Sequence, residues 1–202
     1  MPSFQGQGQS DLATEAKVRG LSYALAINLR IYAQKFAATK FRYWHFDLNA
    51  GSGFNDQVGC IGSPLTFLAQ AAQIGVERYF AGFCDIDADR VKALLSRPEV
   101  SNDERAFVFH GDNAALVGAI PSIIADRGER VEYALGTVVS DDNATGVPVA
   151  ELAKLARIWS SRCPTGRWAS WQSHTSRRRA PCLRRPSARS RSCDGHGSVC
   201  RP

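Results

Sequence analysis

The residues best suited to chemistry in this chain are carboxylates, each standing at the end of an apolar run. The richest example is Phe46-Asp47-Leu48-Asn49-Ala50-Gly51-Ser52-Gly53-Phe54-Asn55. Phe41, Tyr43, Trp44 and Phe46 lead into Asp47, and Gly51 and Gly53 stand at the fourth and sixth positions after it. A buried parallel strand looks like this when its carboxyl end meets a nucleotide-type ligand. The glycines let the backbone turn tightly and approach a ligand where a Cβ would collide. Asp85, Asp112 and Asp141 repeat the placement after residues 79–84, 106–111 and 131–140. As a set, they suit a nucleoside: Asp85 for two ribose hydroxyls, Asp112 for the exocyclic amine of an adenine, Asp47 for an ammonium group. A pyrophosphate asks instead for backbone amides without a carboxylate, and the G-x-G-x-x-G fingerprint needs glycine where this chain has Asp56. A ligand with a cationic amino-acid end and an adenosine end therefore fits better than NAD or FAD.

Alternating strands and helices are needed to bring those acids to one edge. Ser10-Asp11 reads as a helix cap, and Leu21, Leu25, Leu29, Tyr32 and Phe36 recur at helical spacing behind it. A strand over 41–47 and its glycine turn follow, then a loop over 54–62. Ser63 as N-cap, Pro64 at the first helical position and Gly75 as the stop bound a second helix. Residues 79–84 read as a buried strand, with Asp87 capping a helix that carries Val91, Leu94 and Leu95 before Pro98. Residues 106–110 form a third strand, and Leu116, Val117, Ile120, Ile123 and Ile124 mark the helix behind it. Residues 131–139 are expected as a fourth strand closed by Asp141-Asp142-Asn143. Val147-Pro148 opens a last helix with Val149, Leu152, Leu155 and Ala156. This alternation predicts an α/β fold, a Rossmann-like parallel sheet flanked by helices and incomplete at its C-terminus.

Charge divides the chain in two. Residues 161–202 hold ten arginines, no lysine and one acid, Asp194, a formal +9, which leaves −3 for the first 160 residues of a chain whose total is +6. The basic total is thus no property of the folded body. The tail has no Ile, Phe, Tyr, Met, Glu or Lys, and only Leu183 and Val199 as branched aliphatics. Such a composition buries too little apolar surface to offset the entropy of ordering. It is what GC-rich codons give out of frame, and the expectation is a reading-frame shift near residues 158–167. The alternative is an authentic basic arm that binds nucleic acid. Cys163, Cys182, Cys193 and Cys200 lie 19, 11 and 7 residues apart without a C-x-x-C pair, so no zinc site is expected. The organisation expected is a disordered N-terminus over 1–11, one α/β domain over 12–160, and a disordered or non-native tail over 161–202. A polar start without a leader pattern, no apolar run of membrane-spanning length, and only Cys60 and Cys84 in the body point to a cytoplasmic protein.

Residues 46–53 resemble the first motif of S-adenosylmethionine-dependent methyltransferases, Phe83-Cys84-Asp85-Ile86-Asp87 the second, and His110-Gly111-Asp112 the third. More narrowly, the long N-terminal helix, the loop Asn55-Asp56-Gln57-Val58-Gly59-Cys60-Ile61 running into Gly62-Ser63-Pro64, and Ser140-Asp141-Asp142-Asn143-Ala144-Thr145-Gly146 resemble the three-Cys-motif partner family. That family has a methyltransferase-type sheet and takes its name from the product of a neighbouring gene. The likeness spans roughly residues 12–157. It implies that Asp47, Asn49, Gly51 and Gly53 hold the methionine end of S-adenosylmethionine, Asp85 the ribose and Asp112 the adenine. It places Asp141 and Asn143 beside the transferred methyl as the catalytic pair. Amino-methylating relatives carry Asp/Asn-Pro-Pro-aromatic there; Asp142 in place of proline and the lack of an aromatic residue depart from that pattern. No metal is implied. Implied partners are an unidentified methyl acceptor and a protein encoded nearby, with nucleic acid a weaker candidate and a membrane excluded.

Methyl transfer from a sulfonium needs alignment more than acid–base work. His45 and His110 are accordingly read as structural, Trp44 as core, and Cys60 as a loop thiol without a placeable histidine. Two functions stay open: a methyltransferase-like enzyme of unknown acceptor, and a non-catalytic nucleotide- or partner-binding α/β protein related to such enzymes.

Overall fold

The computed structural model describes residues 11–36, 38–56, 59–140 and 147–160. Helix α1 (Asp11–Lys35) leads to strand β1 (Tyr43–Asp47), a hairpin of β2 (Phe54–Asn55) and β3 (Cys60–Ile61), and α2 (Ser63–Ile74). There follow β4 (Tyr79–Asp85), α3 (Ala88–Leu95), α4 (Pro98–Ser101), β5 (Ala106–His110), α5 (Asn113–Asp126), β6 (Leu135–Val139) and α6 (Val149–Ser160).

Four strands form one parallel sheet in the order β5-β4-β1-β6. The chain steps outward from β1 to β4 to β5, then crosses back over α5 to lay β6 on the far side of β1. With right-handed crossovers, that reversal puts α2, α3 and α4 on one face and α5 and α6 on the other. The fold is Rossmann-like in this general sense.

Alternation along the strands sorts the core into two layers. Tyr43, Ala81 and Phe83 pack with Leu25, Leu29 and Tyr32 of α1 and Phe67 and Leu68 of α2. Trp44, Phe46, Phe80 and Cys84 pack with Leu116, Ile120 and Ile124 of α5 and Leu152 and Leu155 of α6. Every residue of β1 and of β4 is buried, as expected of central strands covered on both faces. The indole of Trp44, wholly buried, donates Nε1–H to Glu129 Oε2 at 2.9 Å. At the same amino-terminal end of β1, the Arg78 guanidinium donates to the carbonyls of Thr39 (2.6 Å) and Lys40 (2.7 Å), bracing the turn into the strand.

Several sequence expectations need correction. The loop over 54–62 holds the β2–β3 hairpin, whose two-residue strands are too short to show a periodic signal. The N-cap of α2 is Gly62, with no side-chain cap, and Ser63 is already helical. Gly62 takes that position because it donates N–H to Gly53 O at 2.8 Å, and a Cβ on it would stand 3.1 Å from the Gly53 carbonyl carbon. Residues 131–133 form a 3-10 turn instead of the start of the fourth strand, and α4 is a helical turn that the spacing did not reveal. The tail over 161–202, with its proposed frame shift, and the N-terminal residues 1–10 lie outside the described residues.

Candidate functional site

The candidate crevice lies at the carboxyl ends of β1, β4 and β5, the side of the sheet on which open α/β folds bind ligands. Asp47 ends β1 and is 1% exposed, and its Oδ1 accepts the N–H of Asn49 at 3.1 Å. That short-range bond turns the chain out of the strand. The following residues are held from both neighbouring strands: Leu48 N–H donates to Val139 O at 2.9 Å, and Ala50 N–H to Cys84 O at 2.8 Å.

Both glycines of the turn are left-handed, Gly51 at φ +63° and Gly53 at φ +76°. Their surroundings differ. A Cβ on Gly51 would meet nothing within 4 Å, so its backbone faces open space. A Cβ on Gly53 would lie 2.7 Å from Leu94 Cδ1 of α3. Gly51 thus faces open space, while Gly53 packs inward against the helix layer.

Asp85, the last residue of β4, is 7% exposed. Its Oδ2 accepts the Gly51 N–H at 2.8 Å and its Oδ1 the Asp87 N–H at 2.9 Å. Asp87 in turn caps α3, accepting from Asp89 N–H at 2.9 Å and Arg90 N–H at 3.2 Å, as its position in the sequence predicts. Asp85 is therefore already a structural acceptor, with its remaining lone pairs free to take further donors. Asp112 sits at the N-cap of α5 but makes no cap bond, and it is exposed. Gly111 N–H donates to Asp85 O at 3.0 Å, which brings the ends of β5 and β4 side by side.

Burial and the neighbouring Asp85, Asp47 and Asp112 charges push the Cys84 thiol up to about 12. It stays protonated and donates to Gly111 O at 3.3 Å, which is the behaviour of a packing residue and not of a nucleophile. The same acids make the crevice electronegative, the polarity that favours a cation. His45, wholly buried one layer below, stacks on Phe67 with ring centroids 4.0 Å apart and contacts Thr137 Oγ1 through Nδ1 at 2.8 Å. Desolvation lowers it to about 3, so the imidazole is neutral. His110 is exposed, with Nε2 3.2 Å from Ile86 O.

The structure thus joins Asn49 to Asp47 and Gly51 to Asp85 by direct bonds, sets Asp112 beyond the end of β5, next to β4, and packs the Cα of Gly53 beside Leu94. Asp141 and Asn143 lie outside the described residues. Sequence reasoning missed Ser140, whose Oγ donates to Asn49 Oδ1 at 3.3 Å across the reversal point. Only its position just after an apolar strand could have flagged it. Among the described residues, no three His, Cys, Asp or Glu side chains gather as a metal site. No described helix is long and apolar enough to cross a membrane.

A cleft of about 380 Å³ opens at the opposite, amino-terminal ends of the strands, among Arg42, Arg78, Arg105, Arg127, Glu77 and Glu104. Its cations are committed to the fold. Arg105 forks onto Asp103 at 2.7 and 3.0 Å, Arg42 lies 3.6 Å from Glu129, and Arg127 stacks 4.2 Å above Phe80. Size alone does not make it the functional site.

Comparison of the chain with protein-family models and with curated proteins finds no match in either.

Proposed function

We propose that this chain is a methyltransferase-like protein of the three-Cys-motif partner type, binding S-adenosylmethionine at the carboxyl ends of β1, β4 and β5. The observation that carries the reading is the Gly51 turn, open to solvent on one side and held from beneath by Asp85. Around it stand the buried Asp47 and the exposed Asp112, on adjacent strand ends. In this reading Asp47 and Asn49 orient the ammonium end of the ligand, Asp85 accepts ribose hydroxyls with its remaining lone pairs, and Asp112 accepts the adenine amine. Gly51 brings its backbone against the ligand. Asp141 and Asn143 are proposed to align the methyl acceptor. The cofactor, when bound, supplies an already activated methyl group, so these residues bind and orient and need move no proton.

The second reading, a nucleotide- or partner-binding protein without catalysis, is favoured by the prior engagement of both Asp85 oxygens with backbone amides. Calorimetric titration with S-adenosylmethionine separates the two from a third outcome. Asp112→Ala is the clean probe, because Asp112 has no cap bond to lose. Binding by the parent and an affinity loss of about 10-fold in the variant, the worth of one hydrogen bond to a charged acceptor, support the site. Binding with no methyl transferred to protein, RNA or small-amine acceptors supports the non-catalytic form. No heat from the folded parent chain rejects the cofactor altogether.

A further inference from the structure

Each residue of the turn from Leu48 to Gly51 is held by a neighbouring strand end. Leu48 and Ala50, both buried, donate backbone N–H groups to Val139 O at 2.9 Å and Cys84 O at 2.8 Å. Gly51 donates its N–H to Asp85 Oδ2 at 2.8 Å. Asn49 differs, because it meets its neighbour through a side chain, whose Oδ1 accepts the Ser140 hydroxyl at 3.3 Å. Ser140 directly follows β6, so consecutive residues 139 and 140 hold consecutive residues 48 and 49.

The backbone does not depend on that hydroxyl. Asn49 N–H is secured separately by Asp47 Oδ1 at 3.1 Å, and β6 is already paired with β1 from Leu135 to Val139. The Ser140 bond therefore acts on the Asn49 carboxamide, a half-buried group carried on rotatable side-chain torsions. A carbonyl oxygen accepts two hydrogen bonds, so this one orients Oδ1 without exhausting it.

We infer that Ser140 is a positioning residue of the ligand turn, holding the Asn49 carboxamide in its binding orientation before a ligand arrives. In the proposed S-adenosylmethionine site, on which this role rests, Asn49 helps to orient the ammonium end. A side chain that is ordered only on binding costs the complex about 0.5–1.5 kcal/mol. The Ser140 hydroxyl meets that cost in the free protein, through a residue that belongs to another strand and touches no ligand itself.

Calorimetric titration of the full chain with S-adenosylmethionine tests this on the parent, Ser140→Ala, Ser140→Thr, Asn49→Ala and the Ser140→Ala, Asn49→Ala double variant, with urea midpoints measured alongside. Ser140→Ala should bind about 2- to 10-fold more weakly, the ordering cost expressed as affinity, at an unchanged midpoint. Ser140→Thr, which keeps the hydroxyl, should bind as the parent does. In the Asn49→Ala background Ser140→Ala should cost nothing further, because the side chain it positions is gone. Parent-like binding by Ser140→Ala overturns the role and leaves the cofactor site standing. Equal losses with and without Asn49 overturn it as well, since the hydroxyl then acts independently of that side chain. So does a loss that tracks a lowered midpoint and that Ser140→Thr does not restore. No heat from the folded parent rejects the cofactor site and this role with it. If Asn49→Ala binds too weakly to titrate, the contrast between Ser140→Ala and Ser140→Thr decides.

Discussion

The carboxylate of Asp85 accepts the peptide N–H of Gly51 at 2.8 Å, tying the end of one central strand to the turn that follows the other. With Ala50 N–H on Cys84 O, this bond decides where the turn stands relative to the crevice. A residue expected to touch only ligand thereby has a prior structural task, and the two tasks separate experimentally.

Asp85→Ala leaves the Gly51 and Asp87 amides without their acceptor and should cost about 1–3 kcal/mol of stability. Asp112→Ala should change stability by less than about 0.5 kcal/mol, as for an exposed side chain with no bond to lose. Urea unfolding of both variants checks this. Equal losses in the two would mean that Asp85 does not hold the turn.

The glycines of the turn should respond unequally. Gly51→Ala meets only the torsional penalty of a left-handed residue, about 1 kcal/mol. Gly53→Ala meets the same penalty and also drives a methyl onto Leu94, so the loss should reach about 2–4 kcal/mol. Denaturation midpoints of the two variants give the order directly. Gly53→Ala in a Leu94→Ala background should recover part of its own cost.

His45 makes stability depend on pH. Its folded value of about 3 lies below the ordinary 6.5, so below pH 6.5 the unfolded chain binds a proton that the folded chain refuses. The contribution is whole above that pH and is lost as pH falls toward 3, with a limiting slope of about 1.4 kcal/mol per pH unit. Carboxylates add their own acid sensitivity below about pH 5, so the readout is a difference. His45→Phe, which keeps the stack on Phe67, should flatten the fall in unfolding free energy between pH 7 and pH 5 relative to the parent. Parallel curves for parent and variant would refute the assignment.

Glu129→Ala removes the acceptor of the buried Trp44 indole and should cost about 1–3 kcal/mol. Trp44→Phe in that background removes the stranded donor as well, so the two changes should be sub-additive by about 1 kcal/mol or more. A double-mutant cycle by chemical denaturation measures the coupling. Additivity would show that the 2.9 Å contact contributes nothing net.

The strands around Asp47, Asp85 and Asp112 were legible because each is an apolar run closed by an acid. The cap at Asp87 and the stop at Gly75 were legible because capping chemistry is local. The β2–β3 hairpin was not, since two-residue strands carry no period, and the 3-10 turn at 131–133 resembles a strand in sequence because Val131, Glu132 and Tyr133 alternate apolar and polar. The packing of Gly53 against Leu94 was not legible either, because Leu94 lies on α3, five elements further along the chain.

By itself, the sequence determined that strands and helices alternate, that acids follow the strands, and that the body is acidic while the basic charge sits in residues 161–202. These are properties of nearest neighbours and of composition. Tertiary structure alone decided which acid braces the turn, that β6 lies beside β1, and that Ser140 meets Asn49. Those contacts join residues 34 and 91 positions apart, for Gly51 with Asp85 and for Asn49 with Ser140. Their partners are chosen by strand order, and strand order follows from which helix faces must be buried together, a condition that no local stretch of chain expresses.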